Sequence, residues 1–146
     1  MPTGTDFHCR VHPFGTLSPL KYVVVCSRYE GKWLLSRHRR RDTWETQGGH
    51  IEPGETPLEA ARRELFEESG TLEAELCPVC DYYGWDDHSD ANGTVFLALI
   101  RSLGEMPRSE MREARLFDAL PDELTYPSTT PVLMAEAKKR LMAMSD

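Results

Sequence analysis

Gly48 to Thr71, GGHIEPGETPLEAARRELFEESGT, reads as a tight glycine-bearing loop that feeds one short, heavily acidic helix. Thr56 caps that helix, Pro57 sits where a first helical residue lacks a needed N–H, and Glu59 completes a T-x-x-E capping box. Gly70 is the natural stop, so the pattern predicts a helix over Pro57 to Ser69. At about 100° per residue, Leu58, Ala61 and Leu65 fall on one apolar stripe that should face a core. Glu64, Glu67 and Glu68 fall on an adjoining arc at i, i+3 and i+4. Like charges at those spacings repel by roughly 0.2–0.5 kcal/mol per pair. Glu67 and Glu68 also lie in the last turn, where the helix dipole disfavours anions. A solvated acidic face is the ordinary meaning of such an arc. Here the carboxylates border the apolar stripe and no intrahelical cation is evident at a relieving spacing. A bound divalent cation removes the conflict, because Mg²⁺ takes hard oxygen ligands, typically carboxylates together with substrate phosphates.

Gly49, five residues, Glu55, seven residues, then Arg63-Glu64-Leu65-Phe66-Glu67-Glu68-Ser69-Gly70 resembles the Nudix box, G-x5-E-x7-R-E-U-x-E-E-x-G-U with U a bulky aliphatic. Every fixed position matches except the last, where Thr71 replaces the aliphatic. The resemblance implies an α/β fold, an α/β/α sandwich around a mixed β-sheet, formed by one domain over the whole chain. It implies hydrolysis of a diphosphate linkage in a nucleoside diphosphate–X or nucleoside triphosphate, with Mg²⁺, or Mn²⁺ in its place. By the same resemblance Glu64 and Glu68 are direct metal ligands, Glu67 binds or bridges a second ion, and the carbonyl of Gly48 also ligates. Arg63 and Glu55 are orienting residues, with Arg63 able to hold the loop carboxylate by a bidentate ion pair. A general base comes, in this family, from a box glutamate or from a loop glutamate before a late strand. Glu110 is the candidate for that loop role and Glu113 the second. Two other activities stay open: an isopentenyl-diphosphate-isomerase-like reaction, suggested by the similar Trp44-to-His50 approach WETQGGH, and a ligand-sensing domain without catalysis. Intact box glutamates favour hydrolysis.

The chain has 146 residues and a net charge of −7, enough length for a sizeable core and the wrong charge for a general nucleic-acid or membrane-surface binder. Val95 to Ile100 is the longest apolar run and is much too short to span a bilayer. Four cysteines without a regular framework, and no leader-like start, point to a cytoplasmic protein with reduced thiols. Cys77 and Cys80 form a C-x-x-C with no second pair, and read as small core residues. The expected partner is a small nucleotide or other diphosphate, not nucleic acid; a homodimer is an expectation by family analogy alone.

Met1 to Thr16 is polar and turn-rich with no assigned role. Lys21 to Ser27 and Lys32 to Ser36, separated by Glu30-Gly31, read as a hairpin. The following RHRRRD, Arg37 to Asp42, is either an exposed loop or a phosphate-facing rim. Alternation continued from the strand selects Arg37 and Arg39 as its substrate contacts. Trp44 to Thr46 reads as a short strand, and Gln47 stands where many family members have proline. Leu72 to Trp85 reads as a long strand in which Pro78 marks an edge or bulge. Its final aromatics, Tyr82, Tyr83 and Trp85, are core or a nucleobase platform, with Tyr83 the candidate substrate contact. Asp86 to Gly93 reads as a loop, Thr94 to Arg101 as a central strand, and Glu113 to Phe117 as a short strand. Thr130 and Pro131 open a last helix whose expected apolar face is Val132, Leu133, Ala135 and Leu141.

Overall fold

The computed structural model of the chain describes residues 7–144. Along the chain run β1 (His8–His12), β2 (Tyr22–Tyr29), β3 (Lys32–His38), β4 (Gln47–His50), α1 (Pro57–Ser69), β5 (Thr71–Trp85), β6 (Asp90–Leu103), β7 (Met111–Phe117) and α2 (Thr130–Met144). The sheet order is β1-β5-β6-β2-β3-β7, with β4 paired to β2 beside that path. Among the described strands β2 and β6 pair in parallel, and the other strand pairings are antiparallel. This is a mixed sheet with one helix packed on each face, the expected α/β/α sandwich.

Period-two alternation along β2 decides which helix packs where. Val23 and Val25 join Phe96, Ala98 and Ile100 in one core layer with Ala60, Ala61 and Leu65 of α1. Val24 and Cys26 join Val95, Leu97 and Trp33 in the opposite layer with Leu133, Met134 and Ala137 of α2. Cys77 and Cys80 are both buried in the α2 layer, although three residues apart in an ordinary strand would face opposite ways. A bulge between Pro78 and Cys80 inserts the extra residue that brings them to one side. The bulge at Pro78 was therefore legible from the proline.

The β2–β3 hairpin turns through Glu30 and Gly31, at φ 51° and 77°, as a tight turn with two positive-φ residues requires. β2 then offers its free edge twice: residues 22–25 pair with β4, and residues 27–29 pair with β3. That divided edge places the glycine loop in the gap where β3 leaves β2. Helix α1 follows with the expected capping box, Thr56 Oγ1 accepting from Glu59 N at 3.1 Å and Glu59 Oε1 from Thr56 N at 2.8 Å. Gly70 closes it at φ 79°, where an added Cβ would stand 2.8 Å from the Glu105 carbonyl oxygen.

Several boundaries differ from the sequence reading. Within the stretch read as turn-rich, His8–His12 forms β1 against residues 81–85; polar His8, Arg10 and His12 hide the pattern, and residues 1–6 lie outside the described part. Trp44 to Thr46 makes only isolated bridges, Ser36 to Glu45 and Trp44 to Leu124, and the strand is the glycine-bearing Gln47–His50 instead. The loop after Trp85 is shorter than expected, because Asp86 Oδ1 accepts from His88 N and Ser89 N at 2.8 Å each and Asp90 already opens β6. β7 begins at Met111 rather than Glu113. Leu58 is exposed, its place in the α1 layer taken by Ala60. In α2, Val132 and Ala135 are exposed while Met134 and Ala137 are buried with Leu133, a rotation of the expected face. Among the described residues no helix is long and apolar enough to cross a membrane.

Candidate functional site

The C-terminal half of α1 lies against β4, and their meeting line forms one wall of a cleft of about 480 Å³. Gly48, Gly49, Glu64 and Glu68 line that wall. His38, Arg41 and Glu45 from the β3–β4 connection, Glu110 from the approach to β7, and Tyr82, Tyr126 and Thr130 toward α2 line the rest.

Each of the two α1 glutamates that line the cleft has one carboxylate oxygen tied and one open. Glu68 Oε1 accepts from Gly48 N at 2.8 Å, and Glu64 Oε1 accepts from Arg63 Nη1 at 2.7 Å. No partner meets either Oε2 among the described residues. Glu68 is only 8% exposed. Burial drives its carboxyl up to about 9, helped by the charges of Glu64, Glu45 and Glu110 and opposed by the Gly48 N–H. Burial also raises Glu64, against the opposing pull of Arg63. Glu45, buried on the facing wall, is raised by burial while Arg41, at 3.3 Å, pulls it down.

The arc does contain a relieving cation, contrary to the sequence reading: Arg63. Its Nε and Nη2 hold both oxygens of Glu55, at 2.7 and 2.9 Å; Nη1 reaches Glu64 at 2.7 Å and Glu67 at 3.1 Å; Nη2 also donates to the His50 carbonyl at 3.0 Å. Glu55 is held down to about 2, first by the Arg63 hydrogen bond and then by its bond to the Glu52 backbone. Arg63 thus pins the loop to the helix. Helical spacing alone missed this because one guanidinium bridges i+1 and i+4 on its own helix and a loop carboxylate together.

Among the described residues no three His, Cys, Asp or Glu side chains are already gathered as a metal cluster. The donor set nevertheless fits a hard divalent cation: two desolvated carboxylates with open oxygens, held against one another beside a backbone loop. Gly49 is the cradle for it. A Cβ there would come within 2.9 Å of the Glu64 carboxyl carbon and Oε1. At Gly48, φ 152°, a Cβ would instead collide with the Val23 carbonyl oxygen. Gly49→Ala meets only the far end of a flexible side chain, so Glu64 is displaced while the fold stays. The expected result is a loss of about tenfold to a hundredfold in metal affinity with little change in melting temperature. Mn²⁺ binding and thermal melts on the same preparation check it; an unchanged affinity contradicts the cradle.

Arg37, Arg39 and Tyr83, expected to touch substrate, do not line the cleft. Arg37 is bonded to Glu113 and lies over the Trp44 ring, 4.6 Å to its centroid. Arg39 is exposed, its N–H donating to the Glu110 carbonyl at 2.9 Å. Tyr83 stacks on Trp85 with centroids 5.5 Å apart and donates to Asp90 at 2.6 Å. Strand alternation sends its neighbour Tyr82 to the cleft instead. The structure turns Arg37 away from the cleft for a definite reason. Leu34, Ser36 and His38 share the α1 side of β3 by unbroken alternation, so Arg37 takes the opposite face. The register shift beside it leaves the extra residue, Arg112, in β7, and Arg41 turns into the cleft beyond the end of β3. Glu67 is held by Arg63 outside the cleft lining, and Glu113, the second base candidate, is engaged by Arg37 and Arg115. Glu110, with an 84% exposed side chain, sits at the cleft mouth 3.9 Å from His38 Nε2. His38, Arg41, Glu45 and His50 were not selected from sequence; position within a charge run carries no sign of which side chains turn inward.

Residues 19–132 match the family model described as NUDIX domain. YtkD of Bacillus subtilis, provisionally named an 8-oxo-dGTP diphosphatase, is 34% identical over 106 residues, covering 72% of this chain and 66% of that protein. The RNA pyrophosphohydrolase of Yersinia enterocolitica is 36% identical over 63 residues, covering 43% and 35%. The chain therefore spans less than two thirds of the length of these relatives. The crystal structure of the Bacillus subtilis pyrophosphohydrolase BsRppH covers 98% of both chains at 26% identity and a TM-score of 0.81.

Proposed function

The chain belongs to the Nudix family, and from that membership we propose that it hydrolyses the diphosphate linkage of a small nucleotide, a nucleoside diphosphate–X or nucleoside triphosphate, with Mg²⁺. The observation that carries this reading is the pair of α1 carboxylates, buried Glu68 and half-buried Glu64, each with one oxygen tied and one open into the cleft. Nudix-family chemistry requires a divalent ion, and Glu64, Glu68 and the Gly48 carbonyl are the residues that would hold it. Such an ion, when bound, neutralises phosphate oxygens and acidifies the attacking water. The protein's own part is positioning and charge placement, which is most of what phosphoryl chemistry asks. Arg63 fixes loop and helix so that Glu64 presents its free oxygen. Arg41 on the facing wall offers a guanidinium to the phosphates while its other contact, Glu45, keeps it turned inward. His38 Nδ1 accepts from Arg40 N at 3.1 Å, which leaves Nε2 as the protonated nitrogen, directed to Glu110. Glu110 is the proposed proton acceptor for water.

The substrate class is tested with a panel of canonical and oxidised nucleoside triphosphates, ADP-ribose, dinucleoside polyphosphates, isopentenyl diphosphate and a 5′-triphosphorylated oligonucleotide, products resolved by chromatography. The expected outcome is magnesium-dependent release of a monophosphate or pyrophosphate from one small-nucleotide class. Turnover of the oligonucleotide alone overturns the small-molecule reading. Isomerised isopentenyl product, or silence across the panel with folded protein, overturns hydrolysis.

A further inference from the structure

Gln47 has no exposed surface, yet every polar atom of its amide is used. Its Oε1 accepts from Ser27 Oγ at 2.6 Å, and its Nε2 donates to the Leu34 carbonyl at 3.2 Å and to Ser36 Oγ at 2.9 Å. Ser36 Oγ donates its single proton onward to the main-chain carbonyl of Glu68 at 2.7 Å. That carbonyl lies in the last turn of α1, where main-chain oxygens lack intrahelical partners. The direction of the relay is fixed: a hydroxyl that spends its proton on Glu68 can only accept from Gln47, which in turn orients the amide oxygen toward Ser27. Immediately after Gln47, Gly48 N donates to the carboxylate of the same Glu68 at 2.8 Å. Glu68 is therefore gripped at both ends, at its backbone through the Gln47 side chain and at its carboxylate through the adjoining peptide. Packing alone would be served by an apolar side chain of equal volume. An amide joining β2, β3 and β4 to one helix end instead fixes where that end stands.

We propose that Gln47, acting through Ser36, is a positioning residue that sets Glu68 and the Gly48 carbonyl for cation binding; this rests on the divalent-cation reading above. Ser27 orients the amide from behind and has no link of its own to Glu68. The three residues therefore differ in what their loss should do.

The test is Mn²⁺ affinity without substrate, read from the free-ion paramagnetic resonance signal, on the full chain and on Gln47→Leu, Ser36→Ala and Ser27→Ala. Gln47→Leu and Ser36→Ala each weaken Mn²⁺ binding by about tenfold to a hundredfold, and Ser27→Ala by no more than about threefold. The double variant Gln47→Leu/Ser36→Ala is no weaker than the worse single, since both cut one route. In steady state the metal requirement rises while KM for the nucleotide at saturating metal stays within about threefold. Should Gln47→Leu fail to fold, Ser36→Ala, which removes one hydroxyl, decides alone. Affinity in folded Ser36→Ala within about twofold of the unsubstituted chain overturns the proposal, as does an equal loss in all three variants, the mark of general loosening. An unsubstituted chain that binds no Mn²⁺ overturns the cation reading and this inference together; one that binds, with indifferent variants, overturns this inference alone.

Discussion

Glu68→Gln lowers kcat by about a thousandfold, roughly 4 kcal/mol of transition-state stabilisation, while the fold survives. The loss follows from removing a cleft carboxylate that the structure both buries and grips by a backbone N–H. The fold survives because the new amide keeps the size of the side chain and its oxygen still accepts from Gly48 N. Stability should in fact respond in the opposite direction to activity. In the metal-free protein burial raises the Glu68 carboxyl from 4.5 to about 9. The native state then keeps a proton that the unfolded chain has released, so Glu68 makes stability fall as pH rises from about 4.5 toward about 9. Glutamine has no proton to lose. Metal-free melting temperatures at about pH 6 and about pH 8.5 should therefore drop less in Glu68→Gln than in the unsubstituted chain. Activity near that of the unsubstituted enzyme would remove Glu68 from the cation site; parallel pH slopes would show that burial does not hold its proton.

Arg63→Ala loses activity by about a hundredfold, through geometry rather than through a lost ligand. Arg63 is the cation that holds Glu55, Glu64 and Glu67 together with the His50 carbonyl. Without it three carboxylates face one another uncompensated, and the loop carrying Gly49 is released from the helix. Glu55 also loses the main cause that holds its carboxyl near 2. Arg63→Lys keeps the charge but not the planar fork, so it recovers less than about a tenth of the lost activity. Full recovery by lysine in steady-state assays would show that charge alone matters and that the bidentate grip does not.

The contrast between these two residues shows what a sequence can and cannot carry. Helix α1, its capping box, its glycine stop and the glutamates of its inner face were all legible, because short-range spacing and capping chemistry determine them. The α/β/α layering was legible for the same reason: the β-branched run Val23–Val25 and the apolar run Val95–Ile100 can only be interior strands. What failed depended on long-range partners. β1 exists because β5 offers it an edge some seventy residues later in the chain, and its own polar residues give no hint of that. Arg37 and Arg39 were selected on strand alternation, but which phase of it meets the cleft is set by what packs on β3: Leu34 and Ser36 face α1, so His38 follows them and Arg37 does not. The function of Gln47 is likewise written in Ser27, Ser36 and Glu68, three positions spread over some forty residues.

The most direct measurement of the central claim is the anomalous scattering of Mn²⁺ soaked into crystals of the chain. The expected ion lies about 2.0–2.3 Å from an oxygen of Glu64, an oxygen of Glu68 and the Gly48 carbonyl, with Arg63 still holding Glu55. An ion seated elsewhere, or clear density for the α1 carboxylates with no ion between them at saturating Mn²⁺, would contradict it.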